Sequence, residues 1–309
     1  MNKKWIFFSI LFLAVIAIIT VTFIGNGSEQ VRSPENSDTI RIGSKNFTEQ
    51  LILGEIIAQL IEKKTELSVK RVLNLGGTMI CHRALLNNEI DLYPEYTGTA
   101  LRAVLNLSSD SASSKETWTT VKTEYRNRFR LKWMEPFGFN NTYAVTVRKK
   151  DAELNQWDRI SQLWSTAGNL QAGFTSEFQE RPDGYPGLKT AYGFGFGSTR
   201  DLDSGLMYQA LANGEVDVIC GFSTDGRILA LGLKILEDDK KFFPPYQAAP
   251  VIRQATIQEH PELIEVLGML FGTIDDTAMQ RLNYEVDGNG RSTEDVARGF
   301  LISNGLITN

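Results

Sequence analysis

ALLNNEIDLYPEYTGT, residues 84–99, and ALANGEVDVICGFSTD, residues 210–225, are two copies of one passage. Aligned without gaps, they match Ala84 with Ala210, Leu85 with Leu211, Asn87 with Asn213, Glu89 with Glu215 and Asp91 with Asp217, and they set Tyr96 opposite Phe222. Each copy reads as the end of a helix, a polar turn and a strand. Two similar α/β lobes are the expectation. Ligands in open α/β sheets sit beyond the carboxyl ends of the strands, so both aromatics should face a cleft between the lobes.

Outward from the first copy, Thr39 to Gly43 alternates like a half-buried strand. Leu51, Ile52, Leu53, Ile56, Ile57, Leu60 and Ile61 then recur at helical spacing. Asn46 followed three residues later by Glu49 resembles a capping box, which leaves Ser44 and Lys45 at the strand's carboxyl end and points Lys45 into the cleft. A second strand, Ser68 to Leu73, runs into Gly76, Gly77 and Thr78 and a helix, giving a βαβαβ pattern. The GGT turn offers backbone N–H groups to an anion, but it lacks the Lys and spacing of a P-loop and reads as tight-turn chemistry. Gly138 to Val147 looks like a strand crossing into the second lobe, which continues through Gln171 to Phe174 and Val216 to Phe222. Pro244 and Pro245 can neither continue a helix nor donate to a sheet ladder, so FFPPY suits a hinge-side return. Domain bounds of 39–140 for lobe 1, 141–247 for lobe 2 and 248–309 for the return to lobe 1 follow, the last supplying a strand and helices.

The chain has 309 residues, 42% hydrophobic and 22% charged, enough for two ordinary cores. Its net charge of −5 becomes −7 when the two positive charges of Lys3 and Lys4 are set aside. No overall basic field is left to attract nucleic acid. Residues 1–24 join that basic start to an uncharged run, Trp5 to Ile24, long enough to span a bilayer. They read as a signal peptide or an N-terminal membrane anchor, the anchor favoured because no A-x-A site follows. Residues 25–38 are polar, with Gly, Ser, Pro and Asn, and read as a flexible linker. Cys81 and Cys220 fall in different lobes and are expected to be free thiols.

Catalysis finds little support: His82 and His260 are not spaced as metal ligands, no G-x-S-x-G elbow occurs, and neither cysteine has an evident base beside it. No cofactor or metal is expected. Asp91, Glu95 and Asp217 read as turn and strand-end residues. The informative residues are aromatics at strand ends and crossovers: Tyr96, Tyr143, Phe222 and Tyr246. A methylated ammonium has no N–H to donate, so it is recognised by ring faces worth about 0.5–2 kcal/mol each. Four such rings would form a cage, whereas any one of them alone could be ordinary core. Arg181, in FQERPDGYPGL, could grip a carboxylate with its guanidinium fork or make a surface salt bridge.

In order, the motifs GSKNFTEQ, LGGT, DLYPEYTGT, RPDG, STDGR, LEDD and FFPPY resemble the substrate-binding proteins of ABC importers for quaternary-ammonium osmoprotectants such as glycine betaine, choline and carnitine. The resemblance runs from about Thr39 to the end. It implies a two-lobed α/β periplasmic-binding-protein fold with a two-strand hinge, which closes on its ligand and meets a membrane permease coupled to a cytoplasmic ATPase. It puts the cage on Tyr96, Tyr143 and Tyr246, with Phe222 at the fourth position, where relatives often have Tyr. It puts the carboxylate-binding side on Lys45, Thr99 and Arg181. The expected protein is an extracytoplasmic, non-enzymatic monomer that captures a small zwitterion, glycine betaine first. Choline, carnitine, proline betaine or ergothioneine are alternatives, as is a ligand-sensing module. Such proteins are commonly lipoproteins in bacteria with one membrane, yet the leader has no cysteine for lipidation.

Overall fold

The computed structural model describes residues 38–107 and 113–308. The expected membrane segment, and all of the linker except Asp38, lie outside the described residues. The described chain opens with β1 (Thr39–Lys45), α1 (Thr48–Lys64), β2 (Ser68–Gly76), α2 (Thr78–Leu86) and β3 (Leu92–Tyr96), the βαβαβ order that the hydrophobic spacing implies. With β4 (Leu131–Trp133) and β10 (Ala248–Arg253) these strands form one sheet, ordered β2-β1-β3-β10-β4. The second sheet contains β5 (Tyr143–Arg148), β6 (Gln171–Phe174), β7 (Ser198–Asp201), β8 (Val218–Phe222) and β9 (Leu233–Ile235), ordered β7-β6-β8-β5-β9. Helices flank both sheets, and the fold is two-lobed α/β.

The two sheets share a plan. In each, the strand of the repeated passage runs parallel to one neighbour and antiparallel to a strand that has crossed from the other lobe: β3 lies between β1 and β10, and β8 between β6 and β5. Register then places Tyr96 opposite Ala248 and Phe222 opposite Tyr143, so each aromatic ends its strand beside the start of a crossing strand. The crossings meet at the hinge, where Asn140 bridges Gln247 and the Asn141 N–H donates to the Tyr246 carbonyl at 3.1 Å. Residues 138–142 belong to this hinge, which is why β5 begins at Tyr143 and not at Gly138.

Helix α1 follows its apolar spacing inward: Ile52, Leu53, Ile56, Ile57, Leu60 and Ile61 are fully buried. Each such side chain contributes about 1.5–3 kcal/mol relative to exposure. The final helix, α4 (Thr293–Ser303), packs against α1 and ties the carboxyl end of the chain to the first lobe; α3 (Met207–Asn213) is the helix of the second repeat. One local expectation fails. α1 begins at Thr48 with Phe47 as its N-cap and no side-chain cap, so Asn46 and Glu49 form no capping box. Glu49 instead turns into the interior, where polar groups from four other segments satisfy it.

Candidate ligand-binding cleft

Strand ends and crossovers deliver side chains to a cavity of ≈ 430 Å³. Lys45 comes from the end of β1, Tyr96 and Thr99 from the end of β3, Phe222 from the end of β8, Tyr143 from the start of β5, Tyr246 from the returning crossover and Arg181 from the RPDG turn. All seven line this one cavity. Gly98 allows the approach of the crossover, since a Cβ there would sit 2.7 Å from ring atoms of Tyr246. Asp91 and Asp217 are absent from the lining and stand at the opposite ends of their strands, in structural ion pairs.

The rings touch in series from one lobe to the other. Phe47, at the head of α1, stacks on Tyr96 with centroids 6.3 Å apart and on Phe222 at 5.3 Å. Phe222 stacks on Tyr143 at 5.7 Å, and Tyr143 meets Tyr246 edge-on at 5.6 Å. Two protein cations approach the series: Lys45 Nζ is 4.9 Å from the Tyr96 centroid, and the Arg181 guanidinium carbon is 5.5 Å from that of Tyr143. Phe47 is thus a fifth ring in the cavity lining. Its signal in the sequence was only its place, an aromatic in the loop that follows a strand's carboxyl end.

Both of these cations have acid partners. Lys45 Nζ donates to Glu95 Oε1 at 2.6 Å, and Glu95 also accepts from the Tyr93 hydroxyl and the Tyr96 N–H. Arg181 donates to both oxygens of Asp183 at 2.8 and 2.5 Å, to Glu177 at 3.3 Å and to the Thr99 hydroxyl at 3.4 Å. Asp183 receives the Tyr246 hydroxyl at 2.6 Å. Arg181 is buried, so its alternative as a solvent-facing salt bridge does not hold. Glu177, Asp201 and Asp203 add acid to the lining.

Glu49 is absent from this lining and lines the neighbouring cavity of ≈ 270 Å³. Its carboxylate accepts from the Tyr96 hydroxyl (2.7 Å), Asn141 Nδ2 (2.8 Å), the Thr224 hydroxyl (2.6 Å) and Asn283 Nδ2 (3.1 Å). Burial pushes its pKa up while these donors pull it back. Burial, and then the charge of Glu49, push the Tyr96 phenol above its ordinary value, so that it keeps its proton and acts as donor.

Cys81 and Cys220 are both free and buried. Burial pushes the Cys81 thiol up to about 12 and raises Cys220 as well, so neither is a thiolate near neutrality. Among the described residues no group of three or more His, Cys, Asp or Glu could hold a metal ion. No helix among them is long and apolar enough to cross a membrane. The cleft is therefore equipped to hold a small molecule between an aromatic wall and charged, hydrogen-bonding groups.

Residues 38–303 match the family described as the substrate binding domain of an ABC-type glycine betaine transport system. The chain belongs to this family. The carnitine transport binding protein OpuCC of Listeria monocytogenes is 38% identical over 298 residues, which cover 95% of this chain and 96% of that one. The ergothioneine transport permease/ergothioneine binding protein EgtU of Helicobacter pylori (strain G27) is 39% identical over 86% of this chain and 47% of its own length. A crystal structure of a glycine betaine/carnitine/choline ABC transporter protein is 36% identical, covers 86% of this chain and 99% of its own, and superposes with a TM-score of 0.72. Membership makes this chain the substrate-binding component of an ABC importer for quaternary-ammonium solutes, a transport protein.

Proposed function

We propose that the cleft captures a trimethylammonium compound carrying a carboxylate, with glycine betaine the leading candidate, and delivers it to a membrane permease driven by a cytoplasmic ATPase. The observation that carries the proposal is the run of touching rings Tyr96, Phe47, Phe222, Tyr143 and Tyr246 in the lining of one cavity. Ring faces are what a cation without N–H groups needs. Arg181, Lys45 and Thr99 lie in the same cavity and can orient a carboxylate. A ligand touching both lobes favours the closed arrangement through its differential affinity.

A second reading rests on size. A cavity of ≈ 430 Å³ lies within the range that takes whole small molecules and has room beyond glycine betaine, so carnitine and ergothioneine compete for it. The protein acts outside the cytoplasm, as a monomer and without catalysis. Residues 1–24 serve as its signal peptide or its membrane anchor, and residues 25–38 link them to lobes bounded at 39–140 with 248–309, and at 141–247.

Calorimetric titration of the protein with glycine betaine, carnitine, choline and ergothioneine tests the ligand. Arg181→Ala tests the pose: a ligand carboxylate should lose about 1.5–3 kcal/mol of binding and choline much less. Equal losses would mean that Arg181 secures Asp183 and not the ligand. No binding of any of the four compounds would refute the proposal.

A further inference from the structure

We infer that Glu49 is the counter-charge of the bound cation: a positioning residue that supplies the cleft with negative potential through the ring and hydroxyl of Tyr96. This rests on the reading of the cleft as a quaternary-ammonium site and identifies the residue that makes it prefer a cation. Four donors reach Glu49, and all four are neutral: Tyr96, Asn141, Thr224 and Asn283. No Lys, Arg or His is paired with it among the described residues. Nearby cations are already engaged. Lys45 is held by Glu95 at 2.6 Å and Arg181 by Asp183 at 2.5 Å; Arg227, beyond Thr224, is held by Asp225 at 2.6 Å and lies 3.5 Å from Asp287.

A buried carboxylate is ordinarily paired or neutralised, because taking an isolated charge out of water is costly. Hydrogen bonds from neutral groups stabilise the charge but leave its field uncancelled. Glu49 is only 2% exposed, so little solvent screens that field. Tyr96 links this carboxylate to the cavity: its hydroxyl donates to Glu49, and the residue belongs to the cavity lining. A cation on the ring wall therefore meets both the ring quadrupole and a negative charge one residue behind it.

The site is also assembled across the hinge. Glu49 and Tyr96 belong to the first lobe, Asn141 to the outgoing crossover, Thr224 to the turn after β8, and Asn283 to the helix spanning Asp276–Asp287. Asn283 Nδ2 also donates to the Thr224 carbonyl at 3.1 Å, so the same amide holds the acid and the second-lobe turn. Separation of the lobes would strip the Thr224 hydroxyl, the shortest of these hydrogen bonds at 2.6 Å, from Glu49, which couples its ionised state to the closed arrangement.

The test compares each cation with its uncharged-head carbon analogue: choline with 3,3-dimethyl-1-butanol, and glycine betaine with 3,3-dimethylbutanoate, by competition calorimetry on the full chain. Glu49→Gln should weaken choline and glycine betaine about tenfold or more, while the carbon analogues change less than about twofold. A purely structural Glu49 would weaken cation and analogue alike, which would overturn the inference. Because Glu49→Gln sets an amide against Asn283, the exchange variant Glu49→Gln with Asn283→Asp returns one carboxylate and one amide to the same contact. It should restore the preference for the cation. If only the exchange variant folds, retained preference supports the assignment and lost preference overturns it. If wild-type protein binds neither choline nor glycine betaine, the functional reading itself falls, a result distinct from any change in the cation-to-analogue ratio.

Discussion

The two copies of the repeated passage agree at one end of their strands and diverge at the other. At the amino ends, Asp91 and Asp217 make the same reciprocal link to the neighbouring parallel strand. The Asp91 N–H donates to the Arg41 carbonyl at 2.7 Å while Asp91 Oδ2 accepts from the Arg41 N–H at 2.8 Å. Asp217 exchanges bonds with Gln171 in the same way, at 2.8 and 3.0 Å. At the carboxyl ends, Glu95 of the first copy aligns with Gly221 of the second. Glu95 holds Lys45; at Gly221 a Cβ would come within 2.6 Å of the Tyr208 hydroxyl, so no side chain fits. The shared end sets strand register, and the divergent end furnishes different walls of one cleft.

The sharpest way to break this comparison is to remove the two aspartates. Asp91 is fully buried between Arg41 and Arg253, whereas the Asp217 side chain is 36% exposed beside Arg148. Asp91→Ala removes a fully buried acid from between two partly buried guanidinium groups and should cost about 3–5 kcal/mol in denaturant unfolding. Asp217→Ala removes a carboxylate that water partly screens and should cost less, about 1 kcal/mol. Equal costs would show that solvent does not separate the two copies energetically.

Much of this architecture is visible in the bare chain, because a repeated helix-turn-strand passage carries its fold with it and strand ends converge on a cleft. The seven side chains nominated for ligand contact share one cavity for that reason. What stayed hidden had weak or ambiguous local signals. The helix Ser114–Phe129 buries only Thr117, Val121 and Tyr125, one residue per turn, a stripe too thin to register as an amphipathic face. Strand β4 has three residues, too few for an alternation to be read. Glu49 mimicked a cap because its spacing from Asn46 is that of a capping box, and spacing alone does not tell an acid that bonds the backbone from one that turns inward. Phe47 is masked by the same spacing, since the helix starts one residue later than an Asn46 cap would place it.

The cleft ends offer a finer test. Tyr96 anchors its ring through a hydroxyl to Glu49, whereas Phe222 has no hydroxyl and is fixed by stacking and by the Tyr208 hydroxyl on its backbone N–H at 2.8 Å. Tyr96→Phe keeps the ring but deprives a buried carboxylate of a donor, and should lower stability by about 1–3 kcal/mol. Phe222→Ala removes a ring face and should show chiefly in ligand affinity, by about 0.5–2 kcal/mol. Paired unfolding and binding measurements separate the two. If Tyr96→Phe is as stable as wild type, the hydroxyl link to Glu49 is not holding that end of the cleft.

The smallest effect compares His82 with Tyr208, which the gapless alignment places at the same position on α2 and α3. His82 is 3% exposed and packs edge-on against Tyr125 and Phe129, with centroids 5.6 and 4.8 Å away. Burial pushes its pKa down to about 4, below the ordinary value of about 6.5. Between those values the unfolded chain holds a proton that the folded chain does not. The contribution of His82 to stability is therefore full above about pH 6.5 and falls as the pH drops towards 4, by at most about 1.4 kcal/mol per pH unit. Glu49 acts with the opposite sign: its raised pKa lets the folded chain take up a proton first, so its contribution grows as the pH falls towards its ordinary value. Tyr208, whose pKa burial raises further, does not titrate in this window. Unfolding free energies measured from pH 7 to 4 should thus decline more gently for His82→Phe than for wild type, while Tyr208→Phe should be displaced without a change of slope. Parallel curves for wild type and His82→Phe would mean that the first-lobe helix carries no proton-linked weakness and that this position differs between the lobes only in shape.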